Sequence, residues 1–466
     1  MEQLTSTQFL WVTIIVGGIV GIIVLTRTPE LLVALLIVGQ DFIQFALKLL
    51  GFTVTRREFA TAGAIIFLPA VLLFLMVRMV QTREREPIIG RPNLSFVATA
   101  VVMGIVFLIG LTYTLASHYG SQKTGEYFIF GMAPMFLTFV FIQDHAAVRR
   151  LIWWIILVST AMVILVSAYS LATRGTIETL LMFSPEEGGW AGMEIWGHGS
   201  LSGAVVIIFA SFLGLAAGRQ GAIWKAIPLI ILPIACFYII HAGTRSNLLA
   251  FLFVATVGFY LAFKGKRAMF VAGLLVFAIA GAVFMMLAAP EIQERMFSSW
   301  VAEDSPHGTG GAIRLRILGE MPAQFAQAPI LGQGTGGWVI LEHGMDVYDY
   351  PHNMVVEILV ENGLVGFAVF LVLWYLVLRR IWRSLRDEEV GSELYGIGVF
   401  GVCLMAMEFF TGVAHFGLAH HSCTLLISSA IILRMTFLVE EARAFQERAE
   451  PEPGMLIRPA LRAGPV

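Results

Sequence analysis

Long apolar runs separated by short charged joints dominate this chain, and a single long polar segment interrupts them. A bilayer span takes roughly 20 apolar residues, and about twelve or thirteen runs qualify. They are Phe9–Leu25, Leu31–Leu50, Phe59–Val80, Phe96–Leu115, Tyr127–Ile142, Leu151–Leu171, Leu201–Ala217, Ile227–Ile240, Leu248–Phe263, Met269–Leu287, Val355–Leu378, Ile397–Phe410 and Leu425–Val439. The second run holds Asp41, Gln44 and Lys48, so the lower count applies if it does not cross. The pattern predicts an all-α polytopic membrane protein. Its exception is the polar stretch from Ala289 to Gly366, which ends by delivering Pro351, His352, Asn353, Glu357 and Glu361 to the start of an apolar helix. Ionisable groups at membrane depth are costly, which makes them functional candidates by default.

Composition agrees: the 466 residues are 58% hydrophobic and 13% charged, against about 25% charged in a soluble domain. The formal net charge of −2 implies no nucleic-acid partner. Where the charges fall predicts topology, because Lys- and Arg-rich loops stay in the cytoplasm. Arg83–Arg91, Arg149-Arg150, Arg219 to Lys225, Lys264–Arg267 and Arg379–Arg386 form that set. The loops Ala172–Gly199, His241–Asn247, Pro290–His352 and Thr411–Ser422 then face outward, in a bacterium the periplasm. Met1–Gln8 has no Lys or Arg, so the first run reads as a retained span rather than a signal peptide. Four regions follow: N-terminal spans over 1–200, a core over 201–380 with its periplasmic loop over 290–352, C-terminal spans over 381–439, and a short disordered tail over 440–466. Cys236, Cys403 and Cys423 are scattered among apolar residues and read as packing.

On the outer side, Arg245 begins a span and Arg174 ends one. Two readings of Arg245 stand: a cation snorkelling to lipid phosphates, or a phosphate clamp whose planar fork is helped by the helix N-terminus. Arg174, Arg314 and Arg316 are candidate further arms. His352 also has two readings, a packing or capping residue or a general base that is largely neutral near pH 7. Asn353 can cap the helix that follows. Glu357 and Glu361, four apart on one helical face, either orient His352 or bind a sugar hydroxyl, and Asn362-Gly363 should break or bend the segment. Gly332–Gly337 reads as a tight surface turn, weak as a phosphate site. Trp338, Tyr348 and Tyr350 are candidates for stacking on sugar rings or for anchoring at the interface. His415, His420 and His421 lack the further ligands a structural metal site needs, and neither a nucleotide-binding phosphate loop nor a zinc-protease motif is present.

Three pieces in this order resemble the O-antigen ligase and Wzy-type O-antigen polymerase superfamily. They are Thr244-Arg245-Ser246-Asn247-Leu248-Leu249; Arg314 through the proline and glycine turn Pro329–Gly336; and His352-Asn353 with Glu361-Asn362-Gly363-Leu364-Val365-Gly366. The resemblance covers Leu201 to Leu378. It implies a GT-C-like membrane glycosyltransferase with one long periplasmic loop. Such an enzyme transfers a glycan from an undecaprenyl-diphosphate carrier at the periplasmic face of the inner membrane, without nucleotide, cofactor or essential metal. It implies arginines on the diphosphate, which falls on Arg245 and, by position, on Arg174, Arg314 or Arg316. It implies a histidine on the acceptor hydroxyl, which falls on His352. The reading leans to a polymerase, since no basic patch suited to a lipid A core acceptor stands out. A ligase onto lipid A core is the alternative, and a lipid-linked glycan flippase is the rival of another class. A transporter would be expected to carry inverted repeats and a midplane site, and the sequence shows neither.

Overall fold

The computed structural model describes residues 28–35, 37, 91–174, 198–219, 221–242, 245–287, 309–347, 349–414 and 418–449. These residues are helical with no strand among them. In chain order the helices are α1 (Arg91–Leu111), α2 (Ser117–Glu126), α3 (Ala133–Phe141), α4 (His145–Arg174), α5 (His198–Gly218), α6 (Ala222–Ala242), α7 (Arg245–Phe253), α8 (Phe259–Ala262), α9 (Arg267–Leu287), α10 (Thr309–Gln327), α11 (Trp338–His343), α12 (Met354–Arg386), α13 (Glu393–Ala414) and α14 (Leu418–Ala449). Seven spans among the described residues are long and apolar enough to cross a membrane, and two shorter apolar helices accompany them. The protein is therefore an all-α, multi-pass membrane protein. The runs Phe9–Leu25 and Phe59–Val80, and most of Leu31–Leu50, lie outside the described residues.

One element departs from its hydropathy. The run read as beginning at Tyr127 is the second half of a longer helical span, Ser117–Phe141. Its first ten residues, Ser-His-Tyr-Gly-Ser-Gln-Lys-Thr-Gly-Glu, are polar. They form α2 because the rest of the fold supplies partners. The α2 N-terminus has no side-chain cap of its own. Instead Asp346, from the loop after α11, accepts from the backbone N–H of His118 at 2.7 Å and of Tyr119 at 3.0 Å. Between α2 and α3 the helix widens into one π turn, Tyr127–Met132, just ahead of Pro134. A residue with no N–H to give disturbs the ladder, and a wide turn absorbs the disturbance.

The second organising feature is a break in α12. Gly363 takes φ 59°, ψ −160° inside an otherwise continuous helix, so the bend expected at Asn362-Gly363 is present. A break strands carbonyls on one side and N–H groups on the other, and in a membrane these have no water to turn to. The segment Pro329–Gly334 supplies both. The N–H groups of Gln333 and Gly334 donate to the carbonyls of Val360 and Glu361, each at 2.9 Å. The N–H groups of Leu364 and Val365 donate to the carbonyls of Pro329 and Ile330 at 2.9 and 3.2 Å. The glycine-rich stretch is thus not a surface turn: Gly332, Gly334, Thr335, Gly336 and Gly337 are buried. Gly334 has φ +86°, and a Cβ on it would sit 2.6 Å from the Gly110 carbonyl oxygen. Thr335 donates from its hydroxyl to the Phe107 carbonyl at 2.9 Å, and Tyr113 donates to the Leu331 carbonyl at 2.7 Å. Hydropathy misses this because the contacts are made by backbone, not by side-chain apolarity.

Among the described residues the basic joints collect at the other end of the bundle, as alternation requires. Arg149, Arg219 and Glu393 line one cavity there, and Tyr395 donates to the Leu261 carbonyl at 2.9 Å. The tail differs from the disordered end expected from Glu440. Helix α14 runs on to Ala449, tied by an Arg380–Glu440 pair and by Arg443 on Glu388 at 2.7 Å. Those pairs give the charged face of α14 partners that the sequence pattern did not reveal.

Candidate functional site at the mouth of α12

The start of α12 gathers most of the candidate residues. Asn353 is its N-cap. The side-chain oxygen accepts from the N–H groups of Val355 at 3.0 Å and Val356 at 3.2 Å, satisfying two of the otherwise orphan donors. Immediately before it, His352 has φ 51°, the one positive value for a residue other than glycine among the described residues. Left-handed backbone at a non-glycine residue costs of order 1–3 kcal/mol and persists where the surroundings impose it. Here Pro351 is buried on one side, the cap lies on the other, and the Tyr350 ring meets the imidazole edge-on at 4.5 Å. The imidazole itself is half-buried.

Arg314, on α10, comes to the same place. It is half-buried and electrostatically coupled to Tyr350. Burial pushes its guanidinium below the usual value, with Tyr350 acting in the opposite direction. Arginine keeps its charge regardless. Among the described residues no carboxylate pairs with it. Arg316, two residues on, is different. It bonds Glu320 at 3.0 Å and also pairs with Glu342. These partners, Glu342 first, hold it above the usual value. Among the described residues the two loop arginines therefore differ: Arg316 is paired with carboxylates and Arg314 is not.

Glu357 and Glu361 face inward. They are 0% and 1% exposed, and both are bonded by Lys123 from α2, whose amine lies 2.5 Å from Glu361 Oε2. The same Glu361 oxygen accepts from the Gly336 N–H at 3.0 Å. Glu357 sits in the first turn of α12, at the positive end of the helix dipole. Neither carboxylate reaches solvent where a sugar hydroxyl would lie. Trp338 is also placed inside: 1% exposed, it packs with Tyr119, Ile317 and Val356 rather than offering a face to a sugar. Lys123 and Asp346 were missed in the sequence. Two glutamates one turn apart in an apolar helix called for some polar partner, but nothing in the sequence pointed to Lys123.

Arg174 is the last residue of α4 and Arg245 the first of α7, but their side chains lie outside the described residues. So do Tyr348 and the side chains of His415, His420 and His421. Among the described residues no three His, Cys, Asp or Glu side chains gather as metal ligands would.

An inward-facing ion cluster beneath a capped helix mouth, with the Arg314 guanidinium and an imidazole at the rim, defines a helical membrane protein with a polar site at one end of its bundle. The O-antigen ligase family model matches residues 229–371, upholding the resemblance to the O-antigen ligase and Wzy-type superfamily. That segment contains every candidate residue except Arg174, while Lys123 lies outside it. The chain is also 25% identical over 205 residues to an O-antigen ligase of Pseudomonas aeruginosa, covering 42% of this chain and 47% of the relative. It thus spans about half the length of the curated relative it matches.

Proposed function

We propose that this protein is a bacterial inner-membrane glycosyltransferase that moves a glycan from a lipid-diphosphate carrier to an acceptor hydroxyl at the periplasmic face. The observation that carries the reading is Arg314, a half-buried guanidinium with no carboxylate partner among the described residues, beside Tyr350, whose ring meets His352 edge-on. A diphosphate leaving group gains charge as its bond to the sugar breaks, and a pre-positioned fork of donors stabilises that charge most strongly in a poorly solvated site. Arg245, at the start of one span, and Arg174, at the end of another, complete the clamp.

The reaction is a single displacement. His352 takes the proton from the acceptor hydroxyl. The freed oxygen attacks the anomeric carbon, the bond from that carbon to the diphosphate oxygen breaks, and the carrier diphosphate leaves, inverting the anomeric centre. Asn353 is committed to the helix cap, so its part is to hold His352 in place. Glu357, Glu361 and Trp338 act beneath the site, fixing α12 rather than touching glycan. Tyr350 takes over the aromatic position at the rim.

For the acceptor, the absence of a basic patch in the sequence leans to polymerisation onto a second carrier-linked unit. A second reading, ligation to lipid A core, is favoured by the word ligase in both the family description and the name of the Pseudomonas relative. Purified protein, given carrier-linked glycan and each acceptor in turn, separates the two by product size. The same assay in EDTA should proceed undiminished. Activity lost in EDTA and restored by Mg²⁺ would require a metal step in place of the arginines. His352→Gln keeps a hydrogen bond but not the base, and should lower turnover by about 10² to 10⁴. Wild-type turnover in that variant would sink the base assignment.

A further inference from the structure

A cavity of about 440 Å³ opens between α4, α5, α13 and α14, at the opposite end of α12 from His352. Its rim carries Arg149, Arg219 and Trp153, and its wall Leu215, Phe400 and Met435. The rim holds more positive charge than its surroundings consume. The nearest carboxylate to Arg149 is Glu393, at 3.5 Å, and that oxygen is already engaged by His145 at 2.8 Å. Arg219 has no carboxylate partner among the described residues; its guanidinium lies over the Trp224 ring, 4.3 Å from the centroid. Trp224 in turn meets Trp153 at 6.0 Å. An exposed Arg149 and a half-buried Arg219 beside paired tryptophans at helix ends are the composition of a membrane–water boundary.

We infer that this cavity binds the headgroup of an anionic phospholipid in the leaflet at the basic end of the bundle, which the positive-inside rule makes cytoplasmic. Three properties favour a lipid. Two guanidiniums fork onto phosphate oxygens. Basic pockets between spans at this level are suited to anionic headgroups. An apolar wall would be wasted on a free anion, whereas it suits the glycerol and first methylenes of a lipid. The acyl chains then have somewhere to go, since Leu157 and Ile164 of α4 are 53% and 60% exposed farther along the helix. The site is independent of the proposed transfer chemistry and uses none of its residues.

Native mass spectrometry of the full-length protein in mild detergent tests this, with phosphatidylglycerol, phosphatidylcholine and inorganic phosphate as probes. Phosphatidylglycerol should be retained and phosphatidylcholine lost. Replacing both arginines (Arg149→Ala with Arg219→Ala) should weaken retention by roughly 30-fold, the product of two basic contacts. The Arg149→Lys, Arg219→Lys pair keeps the charge but loses the fork, and should fall between wild type and the alanine pair. Equal retention of the two lipids, or undiminished phosphatidylglycerol in the alanine pair, overturns the proposal. Displacement of phosphatidylglycerol by inorganic phosphate overturns it as well, in favour of a free-anion site. If the alanine pair does not elute as folded protein, Arg219→Gln alone decides: a several-fold loss supports the site and wild-type retention refutes it.

Discussion

Lys123 and Arg314 are both cations brought to the start of α12, and the fold treats them in opposite ways. Lys123 is fully buried and holds two carboxylates, while Arg314 is half-buried and holds none among the described residues. A buried pair with one partner removed leaves an uncompensated charge, so Lys123 is locked to its site by the cost of leaving it. Arg314 retains unspent donors. The difference teaches how to divide charged residues in this membrane protein. Those whose partners are complete hold the scaffold, and those left incomplete are available to a ligand.

The largest effect should come from breaking the complete side. Lys123→Met strands Glu357 and Glu361 and should destabilise the protein by about 3–5 kcal/mol, enough to lose the monodisperse peak in fluorescence-detected size exclusion. Adding Glu357→Gln and Glu361→Gln should restore much of that peak. A Lys123→Met protein as stable as wild type would erase the comparison. Next comes the incomplete side. Arg314→Ala should leave the elution profile intact yet slow transfer by about 10² to 10³, the scale for losing one charge-stabilising donor. Arg314→Lys should recover only part, since an ammonium lacks the fork. A smaller effect belongs to the loop that joins the two sides. Gly334→Ala forces a side chain into left-handed backbone, which alone costs about 1–3 kcal/mol, and the added carbon meets the Gly110 carbonyl. A lowered melting temperature measures it. The smallest is Arg316→Ala, whose exposed pairs with Glu320 and Glu342 should leave both turnover and melting within error. A large loss of turnover there would return Arg316 to the diphosphate site.

Most of the helices were legible because lipid-facing helices write their length into apolar runs. The bend at Asn362-Gly363 was legible because glycine after asparagine rarely continues a helix. The site was legible where it lay in sequence order, at Arg314 and His352–Asn353. It was not legible where it depended on contacts across the chain. Lys123 stands 234 residues before Glu357, inside ten polar residues that hydropathy assigns to a loop. The glutamates looked outward because a helical face can be counted from sequence but its direction cannot. Trp338 looked like an interface aromatic because its loop was read as surface.

The splice at Gly363 has a consequence for how the polypeptide can be divided. Residues 329–334 and 360–365 hold one another by backbone hydrogen bonds, Gly336 adds a bond to the Glu361 side chain, and Asp346 reaches back to α2. The chain between these ties passes through Gly344 and Met345, both exposed, with Met345 60% exposed. A cut there severs the covalent link and none of the ties described. Two separately translated pieces, ending and beginning at that tip, should therefore find each other in the bilayer and elute as one particle, a split protein whose halves are fastened by the seam of a broken helix.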